Sequence, residues 1–259
     1  MAKLPVYISK VCGWLYDSPK LCKIMDNPKV QAFISLWNNK KLINAVLKEV
    51  RVSDNVLQVG ATFGSQIKET AEKIGYYGKY RIVDIHPLQI SRVEEKYKYL
   101  YPSMEFAQKD AAAKIDGKYD LILCYMLLHE LPTVTKAKVV NNLLGMLKDR
   151  GRVVFVDYHN PNKWHPMRYV VRMFNRLYRP FVEKLWDREI HTFADKKTDF
   201  VWRKTTYFGR MYQKVVATKK ASPREIIEKL EATNAPLKPA AIKKRNNRKK
   251  SAKASKAVS

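Results

Sequence analysis

Six side chains in the middle of the chain carry groups suited to proton transfer. His129 and Glu130 lie in Tyr125-Met126-Leu127-Leu128-His129-Glu130-Leu131-Pro132. Asp157, Tyr158 and His159 lie in Val156-Asp157-Tyr158-His159-Asn160-Pro161, and Trp164-His165-Pro166 follows closely. Imidazole titrates nearest neutrality and is the usual general acid or base. Three of the chain's five histidines fall in these stretches, so His129, His159 and His165, with the Tyr158 hydroxyl, are the candidate catalytic groups. The same segments offer nitrogen and oxygen donors of the kind manganese or magnesium accepts. Glu130 and Asp157 are the candidate ligands, without a spacing that matches a metal motif.

A second set of residues has the chemistry of a nucleotide cofactor site. In Gln58-Val59-Gly60-Ala61-Thr62-Phe63-Gly64, Gly60 and Gly64 take the first and last glycine positions of a G-x-G-x-G turn, and Thr62 replaces the middle one. Glycine lets a backbone turn tightly beside a ligand. Gln58 stands where such loops usually carry a carboxylate. Asp84 follows about 20 residues beyond the loop, the place where an acidic side chain binds ribose hydroxyls. Asp110 and Ala111 end the next apolar run, where an adenine would be met. Ile85 and Tyr125 adjoin these positions. Either aspartate alone could simply cap a helix. A nicotinamide site would need a third glycine where the helix begins.

Alternating strands and helices must position these groups. Apolar runs at Asn55–Gly60, Tyr80–Ile85, Met104–Gln108, Tyr119–Cys124 and Arg152–Asp157 read as strands. Ser65–Ile74, Leu88–Tyr99 and Lys136–Leu147 read as the helices between them. Tyr207–Phe208 and Tyr212–Thr218 read as a terminal hairpin around Gly209. The pattern predicts an α/β, Rossmann-like, doubly wound and mostly parallel sheet with a C-terminal antiparallel hairpin, the arrangement of class I methyltransferases. Ligands of such sheets bind at the carboxyl ends of the strands. Residues 1–50 read as an N-terminal helical lid or layer, broken at Pro5, Pro19 and Pro28, with one helical run from Val30 to Val50. Residues 51–220 form the main domain, with an insertion at about 160–204. Within that insertion Met167–Trp186 has helical apolar spacing, with Arg168, Arg172, Arg176 and Arg179 on another face and Pro180 as a kink.

The net charge of +26 bounds the partners. Nine Lys or Arg and no acidic residue lie between Lys238 and Ser259, within a basic tail (221–259) too poor in apolar residues to order itself. Subtracting those nine from +26 leaves +17 on the rest, so an anionic surface is the expected partner. No run reaches the roughly 20 apolar residues that span a bilayer, so membrane association is expected to be peripheral. Nucleic acid is not the expected partner. Cys124-Tyr125-Met126-Leu127 occupies the place where enzymes that modify amino groups of bases carry an Asn-Pro-Pro-Tyr type loop. The cysteines Cys12, Cys22 and Cys124 form no zinc or disulfide pattern, and a reduced compartment is expected.

Several segments in order resemble the rhodoquinone-biosynthesis (RquA-type) family, relatives of class I S-adenosylmethionine-dependent methyltransferases. They are Trp14-Leu15-Tyr16-Asp17-Ser18-Pro19, Val56-Leu57-Gln58 with Gly64, Leu127-Leu128-His129-Glu130, Val153–His159, Trp164-His165-Pro166, and Thr206-Tyr207-Phe208-Gly209 with Tyr212–Ala217. The resemblance spans about Trp14 to Ala217. It implies conversion of ubiquinone to rhodoquinone, a ring methoxy group being exchanged for an amino group. S-adenosylmethionine is implied as amino donor, and manganese as supporting ion. Gln58, Gly60, Ala61, Gly64, Asp84, Ile85, Asp110, Ala111 and Tyr125 would hold the cofactor; Tyr16, Trp164 and Tyr207 would meet the substrate. An uncharged Gln58 would leave the cofactor's amine freer to react. Ubiquinone stays in the bilayer, so the expected location is peripheral, on the cytoplasmic face of a bacterial membrane or the matrix face of the mitochondrial inner membrane. The competing readings are a conventional methyltransferase of a quinone or other small molecule, an RNA methyltransferase, and a non-catalytic assembly factor on the same fold.

Overall fold

The computed structural model describes residues 4–11, 13–178 and 181–221. Strands β1 (Asn55–Val59), β2 (Lys79–Asp84), β3 (Met104–Gln108), β4 (Tyr119–Tyr125) and β5 (Leu147–Tyr158) pair in parallel, and β6 (Phe200–Tyr207) and β7 (Tyr212–Lys219) join them antiparallel. The order is β3-β2-β1-β4-β5-β7-β6. Neighbouring residues of a strand point to opposite faces, and both faces here are covered, so the inner strands read as unbroken apolar runs. Val56, Ile82, Leu121, Leu123 and Val154 pack on one face against α5 (Asn39–Leu47), α6 (Gln66–Ile74) and α7 (Pro87–Tyr97). Leu57, Val59, Ile122, Cys124 and Phe155 pack on the other, against α8 (Thr133–Gly145) and Leu185 of α10 (Val182–Trp186).

The N-terminal layer begins with α1 (Val6–Val11), α2 (Gly13–Tyr16), α3 (Pro19–Met25) and α4 (Pro28–Ile34). Pro19 and Pro28 start helices rather than merely break them, each behind a capping side chain: Ser18 Oγ accepts from Leu21 N, and Asn27 Oδ1 from Lys29 N. The single helical run expected from Val30 to Val50 is interrupted. Leu36 and Trp37 adopt left-handed φ values of 50° and 59°, and Ser35 Oγ accepts from Asn39 N where α5 begins.

Three further boundaries differ. β5 starts at Leu147, before a bulge that brings Arg152 opposite Leu121. β6 starts at Phe200, seven residues ahead of the Tyr207 expected from pattern. It is the edge strand and its side chains are mostly exposed, so it carries no apolar run. The helix expected over Met167–Trp186 is two helices, α9 (Arg168–Tyr178) and α10. Pro180 and the basic tail beyond Ala221 lie outside the described residues.

Candidate active site

The order of strands reverses between β1 and β4, and the loops after β1, β2, β3 and β4 meet there, where ligands of such sheets bind. They border an open cavity of about 1400 Å³, its mouth included. The N-terminal layer contributes Tyr7, Leu15, Tyr16 and Ile34 to its wall.

Gly60 and Gly64 have φ of +92° and +82°, in the left-handed region where a side chain is strained, so both turns of the loop require glycine. Asp84 organises the loop from β2. One carboxylate oxygen accepts the Ala61 N–H at 2.7 Å and the other the His86 N–H at 2.8 Å. Burial raises its pKa, against the opposing pull of those two N–H groups. Each oxygen keeps a lone pair, which suits a ribose diol. Asp110 Oδ1 accepts from Ala112 N at 2.8 Å, a turn contact of the kind a capping role would give, and Asp110 also lines the cavity. Ala61, Ile85, Ala111 and Tyr125 line it as well. Burial pushes the Tyr125 phenol up, so it stays neutral.

Gln58 and Gly64 do not line this cavity. Gln58 is buried beneath the loop, where its Nε2 donates to Gln66 Oε1 at 2.9 Å and to Gly60 O at 3.2 Å, and its Oε1 accepts from Tyr80 Oη. The expectation of direct contact with a cofactor amine gives way to a role in holding the loop.

His129 and Tyr158 line the cavity; His159, His165, Trp164 and Tyr207 do not. His129 sits in the 3-10 turn Leu128–Glu130 and is buried. Its Nδ1 lies 2.9 Å from Asp157 Oδ1, its backbone N–H meets Asp157 Oδ2 at 3.2 Å, and its ring meets Tyr158 edge-on at 4.8 Å. A carboxylate on Nδ1 places the proton there and leaves Nε2 as the basic nitrogen. Glu130 Oε1 lies 3.8 Å from Nε2 and accepts from Tyr16 Oη at 2.8 Å. His159 instead contacts the carbonyls of Asn160 and Arg210, with Lys204 Nζ 2.8 Å from its Nε2. Burial and that ammonium lower its pKa. His165 packs on Phe208 at 4.9 Å and over Gly209, where a Cβ would meet its ring at 2.3 Å. His165 thus braces the β6–β7 turn rather than the cavity, and Trp164 is exposed.

The manganese expectation meets a donor set already engaged, Asp157 with His129 and Glu130 with Tyr16. Among the described residues no three His, Cys, Asp or Glu side chains are grouped to hold a metal. These residues do not fit the ion.

Pattern reading left three contributors without a role. His86 lines the cavity almost fully buried; its Nε2 meets Asp17 at 3.1 Å and its Nδ1 has no hydrogen-bond partner among the described residues. With the proton on the nitrogen beside Asp17, Nδ1 is a buried acceptor facing no donor, as expected where a ligand supplies one. Its place two residues after Asp84 was the only signal. Arg92 and Asp26 grip the loop from elements far apart in sequence, and no local pattern marks them.

Residues 56–151 match the family described as "Methyltransferase domain". No curated protein matches the chain. A SAM-dependent methyltransferase from Aquifex aeolicus superposes with TM-score 0.51 at 18% identity, over 78% of this chain and 99% of its own. The N-methyltransferase NodS from Bradyrhizobium japonicum WM9, solved with S-adenosyl-L-homocysteine, gives 0.53 at 14% identity, over 83% and 99%. Human N-acetylserotonin methyltransferase, solved with SAM, gives 0.55 at 15% identity, over 85% of this chain and 61% of its own. None of these bears on the rhodoquinone resemblance; together with the strand order they show that the chain has the class I methyltransferase-like fold.

Proposed function

We propose that the protein is an S-adenosylmethionine-dependent transferase acting on an apolar, ring-bearing acceptor. The observation that carries this reading is the His129 imidazole, backed by Asp157, which lines one cavity with Gly60, Ala61, Asp84 and Asp110. The unpartnered His86 Nδ1 adds a buried acceptor to the same wall. Bound there, the cofactor supplies a sulfonium carrying a transferable methyl group. Asp84 would hold its ribose, and Asp110 with Ala111 its adenine. His129 takes a proton from the acceptor's hydroxyl or amine, and Asp157 stabilises the imidazolium that forms. Leu15, Ile34, Leu42, Leu127 and Leu131 give the acceptor an apolar bed.

Transfer of an amino group to ubiquinone is the second reading. It rests on the resemblance and on one feature of the loop. Gln58 brings no charge, and the Arg92 guanidinium occupies the carbonyls of Ala61 and Thr62. The loop thus adds no carboxylate that would favour the ammonium form of a bound amine. The two readings part in one experiment. The protein is incubated with cofactor labelled with deuterium in the methyl group and nitrogen-15 in the amine, with a short-chain ubiquinone and its reduced quinol as acceptors. Deuterium in the product supports methyl transfer, and nitrogen-15 supports amino transfer. Absence of cofactor binding by calorimetry overturns both.

We place the enzyme peripherally on an anionic membrane. From Tyr158 to Val182 the chain has five basic residues and no acidic one. Trp164, Tyr169, Val170 and Met173 are exposed beside Arg172 and Arg176. Such a face suits an interfacial helix; no helix among the described residues is long and apolar enough to cross a membrane. Flotation with vesicles of phosphatidylcholine alone or with phosphatidylglycerol tests this. Val170→Asp/Met173→Asp should abolish binding to the anionic vesicles, and equal binding by the variant would refute the placement.

A further inference from the structure

The glycine loop lacks its middle glycine, and besides Asp84 and Gln58 an ion pair helps to hold it in shape. Arg92, on α7, donates through Nη2 to the carbonyls of Ala61 at 2.9 Å and Thr62 at 3.0 Å, and its guanidinium lies 4.3 Å from the centre of the Phe63 ring. Its Nη1 meets Asp26 Oδ2 at 2.8 Å. Asp26 follows α3 in the N-terminal layer, and its other oxygen accepts the Gly64 N–H at 2.9 Å. Lys96 stands 3.4 Å from that oxygen. The side chains of Arg92 and Asp26 are only 12% and 18% exposed. Two loop carbonyls, a ring and the loop's last N–H are therefore gripped by a shielded pair whose acidic half comes from the N-terminal layer.

That layer reaches the other loops of the site as well. Asp17 meets His86 after β2, and Tyr16 meets Glu130 after β4. Tyr7, Leu15, Tyr16, Met25, Gln31 and Ile34 of the same layer line the cavity. With the layer undocked, Gly64 would lose its acceptor and Arg92 its counter-charge; a partly buried charge-assisted contact is costly to leave half made.

We infer that Asp26 and Arg92 are positioning residues that couple the cofactor loop to the N-terminal layer. The loop holds its binding shape while residues 13–34 are docked, and bound cofactor keeps them docked. The inference rests on the cofactor reading above. Coupling of this kind is reciprocal, so whatever factor docking adds to cofactor affinity, the cofactor adds to docking.

The test uses the full chain with S-adenosylhomocysteine as probe. Affinity is measured by calorimetry, and docking by the rate at which trypsin cleaves within residues 13–34, with and without the probe. The probe should slow cleavage of the wild type. Asp26→Asn should bind it about 10-fold or more weakly and lose most of that protection. Arg92→Lys keeps a charge for Asp26 but not the planar fork that reaches two carbonyls. It should show the same loss, and it carries the test if Asp26→Asn fails to fold. Wild-type affinity and wild-type protection in Arg92→Lys would overturn the coupling while leaving the cofactor site intact. No binding by the wild type would overturn the cofactor reading and the coupling with it.

Discussion

The Asp157 carboxylate holds His129 at two points, one oxygen on the ring nitrogen Nδ1 at 2.9 Å and the other on the backbone N–H at 3.2 Å. Ring and turn are thereby set together. His129→Ala should lower the transfer rate by about 10²–10⁴-fold, the usual contribution of a positioned base. Asp157→Asn should lower it too, by less, because the ring nitrogen keeps a neighbour without the charge that favours imidazolium. Binding of S-adenosylhomocysteine should change little in either. Single-turnover rates beside calorimetry check this. His159→Ala and His165→Ala, outside the cavity, should leave the chemical step within a few-fold of the wild type.

Asp84 accepts two backbone N–H groups and lines the cavity. Asp84→Ala should weaken cofactor binding by about 1–3 kcal/mol, the cost of orphaned polar groups. Asp84→Asn should recover part of the loss, since an amide oxygen still accepts. Calorimetry showing wild-type affinity in Asp84→Ala would remove the ribose assignment.

Gln58 lies in a buried polar cluster with Gln66 and Tyr80. In Gln58→Glu a carboxylate oxygen would take the place of the amide that donates to Gln66 Oε1 and Gly60 O. Acceptor would face acceptor, and stability should fall by about 1–3 kcal/mol at neutral pH. Part of it should return in acid, where the carboxyl protonates and can donate again. Urea unfolding at two pH values reads both effects.

Lys136 is fully buried, its ammonium donating to Leu131 O, just after the turn that carries His129, and to Phe181 O. Burial lowers its pKa from 10.5 to about 8. Between those values the unfolded chain holds more protons than the folded one, so this group's contribution to stability rises with pH. Below about pH 8 its cost is present in full. The wild type should therefore gain on Lys136→Met by up to about 3 kcal/mol between pH 8 and 10.5. Denaturant melts of both proteins across that window check it, and a constant difference would show that the ammonium is not desolvated.

By itself the sequence determined the central sheet, because strands covered on both faces must be apolar throughout and Val56, Leu57, Ile122 and Val154 announce that locally. It also determined the glycine turn and the acidic ends of β2 and β3, whose chemistry is tied to their place along the chain. It did not show β6, an exposed edge strand with no buried face to leave a pattern. Nor could it choose among His129, His159 and His165, which look alike in sequence. Tertiary structure separates them: of these three, His129 alone lines the cavity, with the Asp157 carboxylate behind its ring. The grip of Arg92 and Asp26 on the loop was equally hidden: they lie 66 residues apart, and charge pairing across such a distance exists only once the chain has folded.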